Sequence, residues 1–359
     1  MNLAQKIHAE IAAAGGWLPF DRFMSLALYA PGLGYYAGGR RKFGRMPGEG
    51  SDFVTAPEMS PLFGRALARQ LAQALDASGC HDVVEFGAGS GALATQLIAE
   101  LDALGAGLAR YRIVELSAEL RERQRERLAA WEGRVDWLDT LPAELEAVVI
   151  GNEVLDAMPV QLLAFDGQAW HERGVVSAGE GFAFADRASP LRPPVETGFV
   201  PGSVTEIHPQ GEAFIATLAR TLRRGAAFFI DYGFPEAEYY HPQRHGGTLM
   251  CHQAHLADAD PLVAVGDKDI TAHVNFTGTA LAGQEAGLTV LGYTSQANFL
   301  LNCGIADLLA NASLAERAMA HRLLAEHEMG ELFKVIGFAP ADAPFDALGF
   351  QRGDRSHRL

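Results

Sequence analysis

The stretch Val83-Val84-Glu85-Phe86-Gly87-Ala88-Gly89-Ser90-Gly91 is a short apolar strand running into a glycine loop, which opens at once into a helix-like segment over residues 92–101. Small residues let backbone N–H groups approach a ligand closely, and the first turn of a helix adds partial positive charge. This is a cradle for a nucleotide-like cofactor, and spacing decides which one. Gly87, Gly89 and Ala92 satisfy the dinucleotide pattern G-x-G-x-x-G/A, while residues 85–91 also read E-x-G-x-G-x-G. The dinucleotide fingerprint wants an acidic residue about 20 positions further on. Here the acid ending the next apolar strand, Tyr111-Arg112-Ile113-Val114-Glu115, lies 28 residues after Gly87. The unit also starts about 80 residues into the chain, whereas dinucleotide domains often open with it. S-adenosylmethionine is the better fit, with Glu115 accepting hydrogen bonds from both ribose hydroxyls and Leu116 lying against the adenine. The glycines alone would also suit a tight turn without a ligand; Glu115 shifts the reading toward a cofactor.

Composition narrows the class. With 359 residues, 48% of them hydrophobic, the chain can fill one large domain with insertions or two smaller ones. A formal net charge of −15 argues against a general nucleic-acid or anionic-membrane binder. It suits a basic protein or peptide substrate, although a solvated acidic surface gives the same charge. Cys80, Cys251 and Cys303 are odd in number and far apart, so free thiols in a reducing compartment are expected. Residues 1–14 lack a continuous apolar segment, and no run reaches the ~20 apolar residues of a spanning helix. The expectation is a soluble, cytoplasmic protein without membrane insertion. The oligomeric state stays open, a homodimer included.

The order of elements predicts an α/β fold. Ile7, Ile11 and Trp17 mark a first short helix, residues 19–29 a second and 57–75 a third, the last with Leu62, Phe63, Ala66, Leu67, Leu71 and Leu75 near helical spacing. From Asp82 strands and helices alternate: strand 82–86, helix 91–104, strand 111–115, helix 118–131, strands 135–138 and 147–151, helix 211–222 and strand 226–231. Such alternation implies a parallel sheet with helices on both faces. Ligands then bind beyond the carboxyl ends of the strands, where Gly87, Glu115, Asn152 and Asp231 fall. Residues 161–204 read as an inserted β-meander with turns at Asp166-Gly167 and Glu180-Gly181. Residues 232–283 read as irregular. Strand 288–294, a helical region 296–328 and strand 331–338 would supply the closing antiparallel hairpin of a class I, Rossmann-like methyltransferase sheet. The expected organisation is an N-terminal helical and loop segment, 1–80, covering the cofactor site. A methyltransferase domain, 81–359, follows, with insertions at about 161–204 and 232–283.

Asn152-Glu153-Val154-Leu155-Asp156-Ala157-Met158-Pro159 follows the strand that should end beside the methyl donor. Two carboxylates can clamp a guanidinium through paired charge-assisted hydrogen bonds. Arginine, with a pKa above ~12, is not deprotonated beforehand. Glu153 and Asp156 would therefore orient a nitrogen and receive its proton during transfer, with Asn152 shaping the site. A helix cap at Asp156 and a loop charge at Glu153 are equally good readings of the motif alone. Asp231 and His273 are the next candidates. Gly34-Tyr35-Tyr36 and Ser51-Asp52-Phe53-Val54-Thr55-Ala56-Pro57-Glu58 flank a basic loop carrying Arg40, Arg41, Lys42 and Arg45. They read as a lid with hydroxyl and backbone contacts to the cofactor, Thr55 and Pro57 among them; residues 40–42 themselves read more simply as a solvated loop. His241, His245, Cys251, His252 and His255 lack C-x-x-C or H-E-x-x-H spacing, so no metal is expected. A nucleophile elbow at Ser90 would need glycines where Ala88 and Ala92 stand.

Together these segments resemble the MidA-like family of S-adenosylmethionine-dependent methyltransferases, from about Phe23 to Phe338. The blocks are Phe23-Met24, Leu28-Tyr29, Gly34-Tyr35-Tyr36, Asp52 through Gly64, Glu85 through Leu93, Val114-Glu115-Leu116-Ser117, Asn152 through Pro159 and Asp231-Tyr232-Gly233. Gly247-Thr248-Leu249, Asp269 through Phe276 and Gln296 through Leu300 follow in order. Ser51 stands where the family usually has glycine, and Ala88 and Ser90 replace the usual Pro and Arg or Gln between the glycines. The resemblance implies a class I methyltransferase fold, Glu85, Gly87, Gly89, Gly91, Glu115, Leu116, Thr55 and Pro57 at the cofactor, and an arginine acceptor on a protein partner. The family includes a mitochondrial protein-arginine methyltransferase associated with respiratory complex I assembly, which points to a subunit of such a complex. A small-molecule acceptor, a cofactor-binding assembly chaperone without turnover, and an NAD-dependent oxidoreductase remain as alternatives.

Overall fold

Strand β1, Asp82–Phe86, carries Val83 and Val84 on opposite faces, and both are fully buried. A strand apolar on both faces belongs inside a sheet that is covered on both sides. The computed structural model describes residues 1–38, 55–196, 198–253 and 256–359. Around β1, the strands β2 (Arg110–Val114), β3 (Val135–Leu138), β4 (Leu145–Asn152) and β5 (Leu222–Phe234) pair in parallel, in the order β3-β2-β1-β4-β5. Strands β6 (Leu288–Ser295) and β7 (Phe333–Pro340) then close the sheet as an antiparallel hairpin, with β7 against β5. Val148, Ile150 and Phe228 face one core with the helices Pro61–Ser78 and Ala92–Ala103. Val149, Phe229 and Phe338 face the other, with Pro209–Thr221 and Phe276–Glu285. The direction of winding reverses between β1 and β4, which opens a crevice at their carboxyl ends.

The helix expected over 57–75 is broken. Ala56–Met59 and Pro61–Ser78 are separate, with Ser60 extended at φ −149° and ψ 131°. A residue before proline is disfavoured in the helical region, while Pro61 suits the first helical position, where no N–H is needed. Ser60 then caps the second helix, its hydroxyl accepting from Leu62 N–H at 3.3 Å.

The inserted meander forms Gln161–Phe165, Trp170–Ala178, Gly181–Ala188 and Val204–Ile207, joined by Leu18–Pro19 from the N-terminal segment. Its second turn is Gly179-Glu180 rather than Glu180-Gly181, because Gly179 takes the left-handed φ of 62°. Residues 232–283 are more ordered than expected. Met250–Gln253, Leu256–Asp258 and Asp269–Thr271 make a small antiparallel sheet, and Phe276–Glu285 is a helix. The helices Leu3–Ala13 and Phe20–Tyr29 pack on these insertions, where Ile7, Phe23 and Leu28 share a core with Leu162, Val175 and Ile270. Trp17 lies beyond the first helix, its indole N–H donating to the Ala185 carbonyl at 2.8 Å. The first 80 residues thus divide between two packing units, with Pro61–Ser78 on the central sheet.

Candidate active site

Beyond Phe86 the chain turns at Gly87, Gly89 and Gly91, with φ of 62°, 53° and 80°. Other residues are strained in that region, and a side chain would stand between the backbone and a ligand. Gln124, fully buried, ties the loop down: its amide donates to the Gly89 carbonyl at 2.9 Å and to Glu115 Oε2 at 3.1 Å, while Trp137 Nε1 donates to Gln124 Oε1 at 2.8 Å. Glu115 also accepts the Ser117 N–H at 2.9 Å. Burial raises its pKa, and the hydrogen bonds from Ser117 and Gln124 pull it back. Leu116, next in the chain, is 76% exposed on the cavity wall. Glu85 accepts the Tyr111 hydroxyl at 2.7 Å, and burial pushes its pKa up to about 8.

The described part of the expected lid is latched onto this loop. Arg127 pairs with Glu58 at 3.0 Å and donates to Ser90 Oγ at 2.7 Å, and the Ser90 hydroxyl donates to Glu58. Gln96 Nε2 donates to the Pro57 carbonyl at 2.7 Å. Thr55 and Pro57 face the cavity. Arg40, Arg41, Lys42, Arg45, residues 51–54 and His255 lie outside the described residues.

The second end of the cavity is acidic. Glu153 follows β4 in the left-handed region, φ 54°, a conformation that costs about 1–3 kcal/mol and persists only where its surroundings fix it. Its N–H donates to the Ile230 carbonyl at 2.9 Å, and its carboxylate accepts from Asn152 Nδ2 at 3.0 Å and from the Ala56 N–H. Tyr232 donates its hydroxyl to Asp156 Oδ2. Asp156 Oδ1 and Asn152 Oδ1 are buried without a hydrogen-bond partner among the described residues. Burial, reinforced by Asp156, pushes Glu153 up to about 8; burial, opposed by Tyr232, pushes Asp156 up to about 6. Tyr36 donates to Asp269 at 2.9 and 3.0 Å, and Tyr29 to the Ala157 carbonyl at 2.8 Å.

One cavity of about 790 Å³ joins the two ends, a size suited to small-molecule sites. Of the residues singled out from the sequence, Glu85, Gly87, Gly89, Glu115, Leu116, Thr55, Pro57, Asn152, Glu153 and Asp156 all line it. Gly91 instead begins the helix behind the loop. Asp231 and His273 are not on the cavity wall: Asp231 binds backbone amides, and His273 stacks on Phe234 with ring centroids 5.2 Å apart. Gln124, Tyr29, Tyr232 and Asp269 join the site without a role that residue type or spacing predicts. Tyr232 and Asp269 belong to quoted motifs, whereas Gln124 sits in the highly charged helix Ala118–Arg127, with only its burial to mark it. A nucleoside-bearing sulfonium fits this geometry. Glycines leave room for its backbone contacts, Glu115 retains lone pairs for hydroxyl donors, and the orphaned oxygens await N–H groups.

A mostly parallel sheet closed by an antiparallel β7, with a glycine loop after β1 at the head of the crevice, defines a class I S-adenosylmethionine-dependent methyltransferase. Residues 66–294 match the family described as S-adenosyl-L-methionine-dependent methyltransferase, and the chain belongs to that MidA-like family. Its cofactor is S-adenosylmethionine, so the dinucleotide reading of the glycine loop falls. A solved structure from Burkholderia thailandensis bound to S-adenosylhomocysteine is similar at 53% identity and a TM-score of 0.94, covering 99% of this chain and 96% of that one. A native structure from the same organism is 51% identical, with a TM-score of 0.91 and the same coverage, 99% and 96%. The mouse protein arginine methyltransferase NDUFAF7, mitochondrial, is 27% identical over 90% of this chain and 81% of its own length. Its human counterpart is 27% identical over 81% and 70%.

Proposed function

We propose that this methyltransferase modifies the guanidinium group of an arginine on a protein partner. One observation carries the reading: two carboxylates, the partly buried Glu153 and the buried Asp156, face the same cavity as the glycine loop. The relatives named as protein arginine methyltransferases and the acidic net charge of −15 support it. In this reading Glu115 accepts the ribose hydroxyls, Leu116 lies against the adenine, and the N–H groups around Gly87 and Gly89 approach the amino-acid portion. Bound S-adenosylmethionine supplies a methyl carbon whose bond to sulfur breaks with its electron pair leaving on sulfur. Glu153 and Asp156 hold the guanidinium so that one nitrogen faces that carbon, and Asn152 Oδ1 accepts from a further N–H. As the N–C bond forms, the nitrogen's proton passes to Asp156 Oδ1. Positioning is the main source of rate. The family resemblance adds a respiratory complex I subunit as the first acceptor to try, in the cytoplasm.

The test compares proteomes from cells with and without the protein after labelling with methyl-labelled methionine. Label in methylarginine of a protein, lost with the gene, is the expected result. Label appearing only in a small molecule, or an intact phenotype when Glu153 and Asp156 are both replaced, would overturn the arginine reading.

A further inference from the structure

Asp231, three residues before the end of β5, has a carboxylate that is not on the cavity wall and yet is surrounded by donors. Its Oδ2 accepts the N–H groups of Val154 at 3.2 Å, Leu155 at 2.9 Å and Asp156 at 3.2 Å, and its Oδ1 accepts the Tyr232 N–H at 3.0 Å. Three consecutive amides aimed at one oxygen define a tight anion nest in the backbone. The nest spans residues 154–156: it begins directly after Glu153 and finishes at Asp156. Glu153 itself sits at φ 54° with its N–H on the Ile230 carbonyl, the residue preceding Asp231. Ile230 and Asp231 of β5 therefore grip this loop at four consecutive amides, 153 to 156. Asp231 is 1% exposed; burial and the nearby Asp156 and Glu153 carboxylates raise its pKa, and the loop amides pull it back. No cation pairs with it among the described residues, so its hydrogen bonds go to those amides and to Tyr232.

We infer that Asp231 is a positioning residue for methyl transfer: its carboxylate organises the backbone of residues 154–156 and thereby aims Glu153 and Asp156 at the acceptor. The inference rests on the assignment of those two side chains to the acceptor. An asparagine at 231 keeps the shape but replaces one oxygen with an NH₂ group. That group meets either the Tyr232 N–H or the three loop amides donor to donor, so part of the grip is lost. A displacement of about 1 Å at a reacting group lowers turnover on the order of a hundredfold.

The experiment measures single-turnover transfer, substrate KM and S-adenosylhomocysteine affinity for wild type, Asp231→Asn, Asp156→Asn and the double variant. Asp231→Asn is expected to lower the transfer rate about a hundredfold with cofactor affinity within twofold of wild type. In the Asp156→Asn background the same change should add less than a further threefold, because both act on one element. A general loss of structure would instead reduce both backgrounds equally and weaken the cofactor. Full activity of Asp231→Asn alongside an inactive Asp156→Asn overturns the role of Asp231 and leaves the acceptor assignment standing; full activity of Asp156→Asn overturns that assignment. Hydrogen exchange on the wild-type protein covers the case in which Asp231→Asn does not fold. Slow exchange at the Val154, Leu155 and Asp156 amides without ligand is expected, and exchange at open-loop rates contradicts the clamp.

Discussion

Glu85 is a carboxyl inside a sheet, held among the described residues by one phenol and no cation, and burial pushes its pKa from an ordinary 4.5 to about 8. The folded state therefore binds its proton more tightly than the unfolded chain does. Its contribution to stability is complete below about pH 4.5 and is lost as pH rises through about 8. Glu85→Gln keeps an acceptor for Tyr111 and should flatten the decline in stability across that window, as followed by denaturant titration at several pH values. An unchanged slope would mean that Glu85 is already ionised. Glu115 has the opposite task, since its remaining lone pairs face the cavity. Glu115→Ala should weaken S-adenosylmethionine binding by roughly 1.5–3 kcal/mol in calorimetry, and wild-type affinity would make it a structural residue of the loop. Glu153 and Asp156, raised to about 8 and about 6, hold protons in the free site that a cationic acceptor must displace. The apparent acceptor affinity, measured at saturating cofactor, should accordingly rise with pH across this range and level off above about 8.

Elements show why some of the site was legible in the chain and some was not. The glycine loop could be read because its backbone needs φ values that only glycine adopts freely, and that need is written in residue type. Gly89→Val should remove cofactor binding while leaving the fold intact, checked by calorimetry and circular dichroism. Glu115 could be read because β2 must end where the crevice begins. Gln124 could not: a buried glutamine in a helix of charged residues has no local signature, and its partners Gly89, Glu115 and Trp137 are brought to it by tertiary packing. Gln124→Leu preserves volume but leaves those groups without their partner, and should destabilise the protein by about 1–3 kcal/mol for each buried group left unsatisfied. The small sheet within residues 232–283 escaped for a different reason. Strands of three or four residues are shorter than the window over which an alternating pattern can be recognised. Asp269 opens one of the blocks of the family resemblance, and that sheet is what carries it to the cavity.

At the scale of the molecule, the cavity lies where two packing units meet. The central sheet contributes the glycine loop, Glu115 and the residues after β4, while the insertions and the N-terminal segment contribute Tyr29, Tyr36 and Asp269. A ligand bound at such a junction stabilises only the assembled state. Excess S-adenosylhomocysteine should therefore raise the unfolding free energy by about 2.7 kcal/mol at a hundred times its Kd. The largest gain in hydrogen-exchange protection should fall on Ala56–Met59 and the loop after β1. Cys80, Cys251 and Cys303 are free and buried, so this junction is held by packing and hydrogen bonds. No helix among the described residues is long and apolar enough to cross a membrane.

The central claim is that Glu153 and Asp156 act on the acceptor while the glycine loop and Glu115 hold the donor. It is tested most directly by loading wild type, Glu153→Gln and Asp156→Asn with methyl-labelled S-adenosylmethionine to equal occupancy and measuring single-turnover transfer to an arginine-containing protein acceptor. Both variants should bind the cofactor within twofold of wild type and transfer methyl at least a hundredfold more slowly, a loss confined to turnover. Transfer at the wild-type rate by both variants would contradict the account and reduce the two carboxylates to structural caps.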